Sequence, residues 1–190
     1  MKGWGINISE IRVCLDSLSV WDRAGEALEP DVAFSRWREA TLQLLKDGNT
    51  LYCIGNGASA SMASHISADL AKNAYLNTRV FTDLSLLTAL ANDLCYEEVF
   101  AEPLRRHMKK GDMLVAISSS GQSANIIRAA QEARNLGGAV VTLSAMKPDN
   151  PLRRLGTINF YVPAGTYGMA ETSHAAILHY WVDQMVEEAR

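Results

Sequence analysis

Two pairs of side chains in this sequence could carry acid–base or metal chemistry. His65 and Asp69 are four residues apart in a segment whose pattern predicts a helix, so their side chains should share one face. An imidazole and a carboxylate at this spacing suit either two ligands of one metal ion or an acid–base pair. Glu171 and His179 form the second pair, but they lie about 12 Å apart along the axis if the residues between them are helical. Only loop geometry or a neighbouring subunit could therefore bring all four together.

Two polar loops indicate a site for an anion. Residues 55–59 read Gly-Asn-Gly-Ala-Ser, and residues 118–123 read Ser-Ser-Ser-Gly-Gln-Ser. Each loop follows a predicted strand and opens a predicted helix, where hydroxyls, backbone N–H groups and the helix N-terminus can donate to a phosphate. The serines could instead serve only as helix caps and turn formers, but four of them at one strand end favour an anion site. Neither loop matches a nucleotide P-loop or a dinucleotide fingerprint, so a monophosphate fits better than a nucleotide.

The elements that position these loops alternate between strand and helix. Short apolar runs predict strands at about 50–54, 79–82, 113–118, 139–143 and 158–162, with helices between them and a last helix at about 171–188. Two further helices are predicted ahead of them, at about 9–28 and 30–46. Such alternation favours parallel strands joined by right-handed crossovers. We therefore predict a single α/β domain over 1–190: a three-layer α/β/α sandwich with a five-stranded parallel, flavodoxin-like sheet over 49–190, preceded by two N-terminal helices within 1–48.

Composition narrows the possible partners and location. The net charge of −3 provides no basic field for nucleic acid or for an anionic membrane surface. The three cysteines, Cys14, Cys53 and Cys95, are far apart and odd in number, which argues against a disulfide framework. Neither a signal peptide nor a membrane-spanning apolar run is recognisable in the sequence. We therefore expect a cytoplasmic protein that binds neither nucleic acid nor membranes.

Five motifs, taken in order, resemble the SIS (sugar isomerase) family, and within it the phosphoheptose isomerases. The resemblance runs from about residue 49 to residue 186. The motifs are Gly55-Asn56-Gly57-x-Ser59, His65-x-x-x-Asp69, Asn92-Asp93, Ile117-Ser118-Ser119-Ser120-Gly121-x-Ser123 and Glu171-x-x-His174-x-x-x-x-His179. Phosphoheptose isomerases are homotetramers that convert sedoheptulose 7-phosphate to an aldoheptose 7-phosphate at sites between subunits, and some carry zinc. The resemblance implies a homotetramer of the same fold with a sugar phosphate substrate.

The same resemblance implies a set of substrate-binding residues. Asn56 and Asp93 would contact the sugar hydroxyls, and Glu171 would also face the substrate. The phosphate would be held by five serines: Ser59, Ser118, Ser119, Ser120 and Ser123.

The resemblance also implies catalytic and metal-binding roles. His65 and His179 match the two site histidines of the family, whereas Asp69 stands where the family usually has Glu, and Glu171 where it usually has Gln. All four could bind zinc or another divalent ion. In an enediol isomerisation Asp69 would be the base and His179 the acid. Because a carboxylate bound to metal is a weaker base, Glu171 could be the base instead, with Asp69 only a ligand.

Some positions depart from the family pattern, and other functions stay open. Ala58, Ala60, Gln122 and Gly168 replace residues common in the family, which suggests a different sugar phosphate or stereochemical outcome. One alternative is a non-catalytic SIS protein that binds the replication initiator DnaA. Another is an isomerase or epimerase of antibiotic or polysaccharide biosynthesis. His65, Asp69, Glu171 and His179 together favour an enzyme, whereas His107 suits a surface or core position and His174 has no clear role.

Overall fold

A seven-stranded sheet forms the centre of the computed structural model, which describes residues 3–189. The strands are β1 (Ser19–Asp22), β2 (Ala27–Leu28), β3 (Thr50–Gly55), β4 (Asn77–Val80), β5 (Met113–Ser118), β6 (Ala139–Ala145) and β7 (Ile158–Val162). Their order across the sheet is β2-β1-β7-β6-β5-β3-β4. Strands β3 to β7 run parallel to one another. The predicted five parallel strands are therefore confirmed.

Helices cover both faces of this sheet. They are α1 (Trp4–Asp16), α2 (Pro30–Lys46), α3 (Ala58–Asn73), α4 (Leu84–Asp93), α5 (Glu98–His107), α6 (Ala124–Asn135) and α7 (Tyr167–Glu188), with a 3₁₀ turn at Pro151–Arg154. One apolar cluster packs α1, α2, α3 and α7 on one face, and a second packs α5 and α6 on the other. The stacked indoles of Trp37 and Trp181 join α2 to α7 with ring centroids 4.0 Å apart. The three-layer α/β/α class is as predicted, and no helix within residues 3–189 is both long and apolar enough to cross a bilayer.

The N-terminal segment corrects one prediction. The helix expected over 9–28 ends at Asp16, and Ser19–Leu28 instead forms an antiparallel hairpin whose first strand pairs with β7. The carboxylate Oδ1 of Asp22 accepts hydrogen bonds from the backbone N–H groups of Ala24 and Glu26, and Gly25 adopts a φ of +85° in the turn. This local hydrogen bonding competes with a helix, and the hairpin covers the edge of β7, which would otherwise be unpaired. The sheet consequently has seven strands, and the N-terminal segment contributes two of them.

The register of the central strands brings the two polar loops together. β3 and β5 are neighbours, and Gly55 at the end of β3 lies opposite Ile117, one residue before the end of β5. Gly55 is required at this point, because an added Cβ would lie 2.5 Å from the backbone of Ser59 at the start of α3. The loops after β3 and β5 therefore meet at the carboxyl edge of the sheet, where ligands of doubly wound folds bind.

Candidate active site

A cavity of about 290 Å³ lies between the two loops. We call it the serine-loop cavity. It contains seven of the side chains predicted to bind substrate. Its lining residues are Asn56, Gly57, Ala58, Ser59, Ile117, Ser118, Ser119, Ser120, Ser123, Tyr167 and Glu171.

The loop after β5 is arranged around its serine hydroxyls. The Oγ atoms of Ser118 and Ser123 lie 3.2 Å apart, and the Ser120 Oγ accepts from the backbone N–H of Gln122. Ser123 precedes α6 but makes no side-chain capping bond, so its hydroxyl does not cap the N-terminus of the helix. Gly121 has a φ of +63°, and an added Cβ would collide with the Asn150 side chain. The loop thus places several hydroxyls and a helix N-terminus around one cavity, as an oxyanion requires.

An amide pair joins the two loops. Asn56 and Asn125 each donate an Nδ2–H to the other's Oδ1, at 2.9 Å in both directions, and Asn125 is buried. The Tyr96 hydroxyl donates to the same Asn56 oxygen. Sequence reasoning assigned Asn56 to a sugar hydroxyl and missed Asn125, Tyr96 and the cavity-lining Tyr167. Asn125 could have been identified from the sequence by its position in the first turn of the helix that follows the serines.

Helices α3 and α7 bring His65, Asp69 and His179 into one cluster. One ligand atom from each residue lies within 4.8 Å of those of the other two. The Nε2 of His65 is 3.3 Å from the Oδ2 of Asp69, and the rings of His65 and His179 have centroids 5.3 Å apart. The side chains of His65 and Asp69 are 59% and 30% exposed. Two imidazoles and one carboxylate fit the donor set of a catalytic zinc site, in which three protein ligands leave a position open.

Two of the predicted placements are not observed within residues 3–189. Glu171 belongs to the serine-loop cavity and is not in the His65–Asp69–His179 group. Asp93 is the last residue of α4, where its Oδ1 accepts from the Asn92 side chain, and it does not line the cavity. Within residues 3–189 the expected four-residue metal shell is therefore divided, because two helical turns separate Glu171 from His179 on α7.

The remaining histidines differ in their surroundings. His107 ends α5, is exposed and stacks on Phe81 with ring centroids 6.4 Å apart. His174 is fully buried on α7, and burial lowers its pKa to about 4, against a weaker opposing effect of the Ser144 backbone. His174 is therefore neutral at pH 7. As a buried residue of α7, it helps to pack this helix into the protein core.

Comparison with known proteins places the chain in a family. The SIS domain family model matches residues 31–145. The chain belongs to the SIS domain family. Among curated SIS relatives, the phosphoheptose isomerase of Streptomyces coelicolor is 36% identical over 151 residues, which cover 76% of this chain and 64% of that protein. The phosphoheptose isomerase of Shewanella oneidensis is 33% identical over 171 residues, covering 85% of each chain.

Solved SIS structures agree with the fold. The phosphoheptose isomerase GmhA of Neisseria gonorrhoeae superimposes with a TM-score of 0.74 at 29% identity, covering 80% of this chain and 85% of that one. The phosphoheptose isomerase of Francisella tularensis gives a TM-score of 0.78 at 23% identity, covering 96% and 95%. The resemblance predicted from the five motifs is thereby confirmed.

Proposed function

We propose that this SIS protein is a phosphosugar aldose–ketose isomerase that converts sedoheptulose 7-phosphate to a heptose 7-phosphate through an enediol. One observation carries the proposal: helices α3 and α7 each contribute both to the serine-loop cavity and to the His65–Asp69–His179 cluster. Ser59 and Glu171 line the cavity, while the cluster residues lie further along the same two helices. The same two helices thus hold both an anion site and an acid–base group in fixed positions.

The separation of the two parts suits a long sugar phosphate. Ser59 and His65 are six residues apart on α3, roughly 9 Å along the axis, and Glu171 and His179 are roughly 12 Å apart on α7. A ketose 7-phosphate carries its phosphate and its carbonyl at opposite ends of the carbon chain. A heptose can therefore place its phosphate among the serines while its first carbons lie between Glu171 and the cluster.

Each group then has a task in the isomerisation. The serine hydroxyls donate to the phosphate oxygens, and Asn56 contacts a sugar hydroxyl. His65, Asp69 and His179 would hold a divalent ion, with zinc favoured by the nitrogen and oxygen donors. Such an ion would act as a Lewis acid towards the substrate oxygens. The acid–base side chains would remove a proton from the carbon beside the carbonyl and return it to the neighbouring carbon. They would also move a second proton between the two oxygens.

We assign the base to Glu171 rather than Asp69. The Asp69 carboxylate is 3.3 Å from the His65 ring and belongs to the cluster, where an ion would weaken it as a base. Glu171 lines the serine-loop cavity outside that cluster. If the enzyme works without metal, Asp69 is free to act as the base and His179 as the acid.

A substrate panel tests the proposed activity. Purified protein is incubated with sedoheptulose 7-phosphate and with shorter ketose phosphates, and aldose formation is measured. We expect turnover of the heptulose. A preference for a shorter sugar would instead match the departures at Ala58, Ala60, Gln122 and Gly168. Absence of turnover with every sugar, with or without zinc, would contradict the isomerase and favour the non-catalytic DnaA-binding alternative.

The base assignment has its own test. Glu171→Gln should lower kcat by about 10²–10⁴-fold if Glu171 moves the proton. It should leave zinc binding by the cluster unchanged. Glu187→Gln, an exposed acid on the same helix, is the matched control. Retention of kcat in Glu171→Gln, with its loss in Asp69→Asn, would return the role to Asp69.

Zinc binding can be measured without activity. Added zinc should raise the thermal midpoint of the wild-type protein, since a ligand of the folded state stabilises it. This increase should disappear in His65→Ala and persist in His107→Ala, whose ring lies outside the cluster. An equal increase in both variants would contradict a zinc site at the cluster.

A homotetramer in the cytoplasm is part of this proposal. Several large apolar side chains of α1 are exposed, and α4 has no buried residue at all. Exposed apolar faces of this kind are typical of subunit interfaces, and three free cysteines suit a reducing compartment. Light scattering coupled to gel filtration should give four times the mass of one chain. A monomer would contradict the assembly.

A further inference from the structure

Two adjoining cavities lie at the opposite edge of the sheet from the serine-loop cavity. The first, of about 310 Å³, lies between the hairpin turn and the 3₁₀ turn and is lined in part by Arg23, Arg153 and Arg154. The second, of about 240 Å³, is formed by Arg23 together with Arg134 and its neighbours at the end of α6. Asp22, beside Arg23, pairs with Ile158 at the start of β7. The position is therefore remote from the proposed isomerase site.

The four arginines have little counter-charge. Within the described part of the chain, none of Arg23, Arg134, Arg153 and Arg154 forms an ion pair. Among the described residues that line the two cavities, the one acid is Asp22 of the first cavity, and its Oδ1 already accepts two backbone N–H groups of the hairpin turn. A protein with a net charge of −3 thus concentrates unpaired positive charge at one place.

Arg153 is the buried part of this arginine group. Arg153 is only 5% exposed to solvent. Its guanidinium carbon lies 3.6 Å from the ring centroid of Trp21 and 4.3 Å from that of Tyr161. Its terminal nitrogens donate to the Ser19 Oγ and the Pro148 carbonyl, while its buried Nε has no partner in the described residues. Burial also lowers the pKa of Arg153. A buried cation without a counter-ion is unfavourable, and a nearby anion would offset this.

We propose that these two cavities bind a small molecule with two phosphoryl groups, such as a diphosphate or a bisphosphate. Each cavity would take one phosphoryl group, and Arg23 would contact both. Guanidinium groups suit this role because their planar fork donates two hydrogen bonds to one phosphate. Arg153 anchors the hairpin and adds charge, whereas the exposed Arg23 and Arg154 would contact the ligand. The proposal is independent of the isomerase activity.

Calorimetric titration with inorganic pyrophosphate, in metal-free buffer, tests the site. The full chain carries Ser120→Ala and Ser123→Ala, so that the serine-loop cavity contributes little binding. We expect binding that weakens at least about tenfold when Arg23→Ala and Arg154→Ala are added, since each removes charge-assisted hydrogen bonds. Arg36→Ala, an exposed arginine of α2, should leave the affinity unchanged.

The comparison of anions sharpens the result. Inorganic phosphate should bind at least about tenfold more weakly than pyrophosphate, because it can occupy only one of the two cavities. Absence of pyrophosphate binding, or equal weakening by Arg36→Ala and by the Arg23/Arg154 pair, would overturn the proposal. Equal affinity for phosphate and pyrophosphate would overturn its two-phosphoryl form. Circular dichroism of each variant confirms that the fold is kept, and Arg153 is left unchanged for that reason.

Discussion

The serine-loop cavity and the His65–Asp69–His179 cluster rest on the same two helices but are built by different means. The cavity is formed by backbone at the ends of β3 and β5, held by Gly55, Gly121 and the Asn56–Asn125 amide pair. The cluster consists of side chains on the surfaces of α3 and α7, with His65 and His179 exposed. A single chain thus encloses the first region and leaves the second open on one side.

This difference separates binding from chemistry. Backbone and short serine side chains lose little entropy when a phosphate binds, so the cavity is preorganised. Exposed imidazoles on a helix surface lose rotamer freedom when an ion, a substrate or a neighbouring subunit covers them. Variants of the cavity serines should therefore change KM, and variants in the cluster should change kcat.

The largest effect is expected at the cluster. His179→Asn should lower kcat by about 10²–10⁴-fold, because it removes the group that we propose to exchange a proton or to hold an ion. KM should change far less, since the phosphate contacts remain. Initial rates with sedoheptulose 7-phosphate measure both constants, with His107→Asn as the control outside the site. A large rise in KM at constant kcat would erase the distinction between the two regions.

A pH effect on stability is expected from His174, which lies on α7 between the two regions. Its folded-state pKa of about 4 is below the unfolded value near 6.5, so the unfolded chain binds the proton more readily. The associated stability is fully present above pH 6.5 and is lost as the pH falls towards 4, a loss of about 3 kcal/mol. His174→Leu should remove this part of the pH dependence in urea unfolding at pH 7 and pH 4. An unchanged dependence in the variant would show that other groups are responsible.

A smaller effect is expected in the cavity. Ser120→Ala removes one hydroxyl donor to a dianionic phosphate and should raise KM about tenfold while kcat stays nearly constant. Ser35→Ala, an exposed serine of α2, should alter neither constant. If kcat fell instead of KM rising, the loop would take part in the chemistry rather than only in binding.

The smallest effect is expected from the amide pair that joins the loops. Asn56→Ala and Asn125→Ala should each lower the free energy of unfolding. In the double variant this loss should be about 1 kcal/mol smaller than the sum of the two single losses. Urea unfolding of all four proteins measures this coupling. Strict additivity would mean that the pair does not hold the cavity together.

Most of the fold could be predicted from the sequence because its signals are local. Apolar runs bounded by glycine and charge located all five parallel strands, and Pro30 and Asp47 bracketed α2 as expected. The hairpin at Ser19–Leu28 was missed because its stability depends on pairing with β7, which is more than 130 residues away in the chain. A segment with helical spacing can become a strand when such an edge is available.

The sequence by itself determined the residue types of the site and the order of elements that presents them. It placed the serines at a strand end and His65 and Asp69 on one helical face, because both relations depend on short spacings. Only the tertiary structure decided which of the distant residues met. The packing of α7 on α3 brought His179 to His65, and the helical rise kept Glu171 with the serines instead. Contacts between segments so far apart follow from packing of the whole core, which local spacing does not encode.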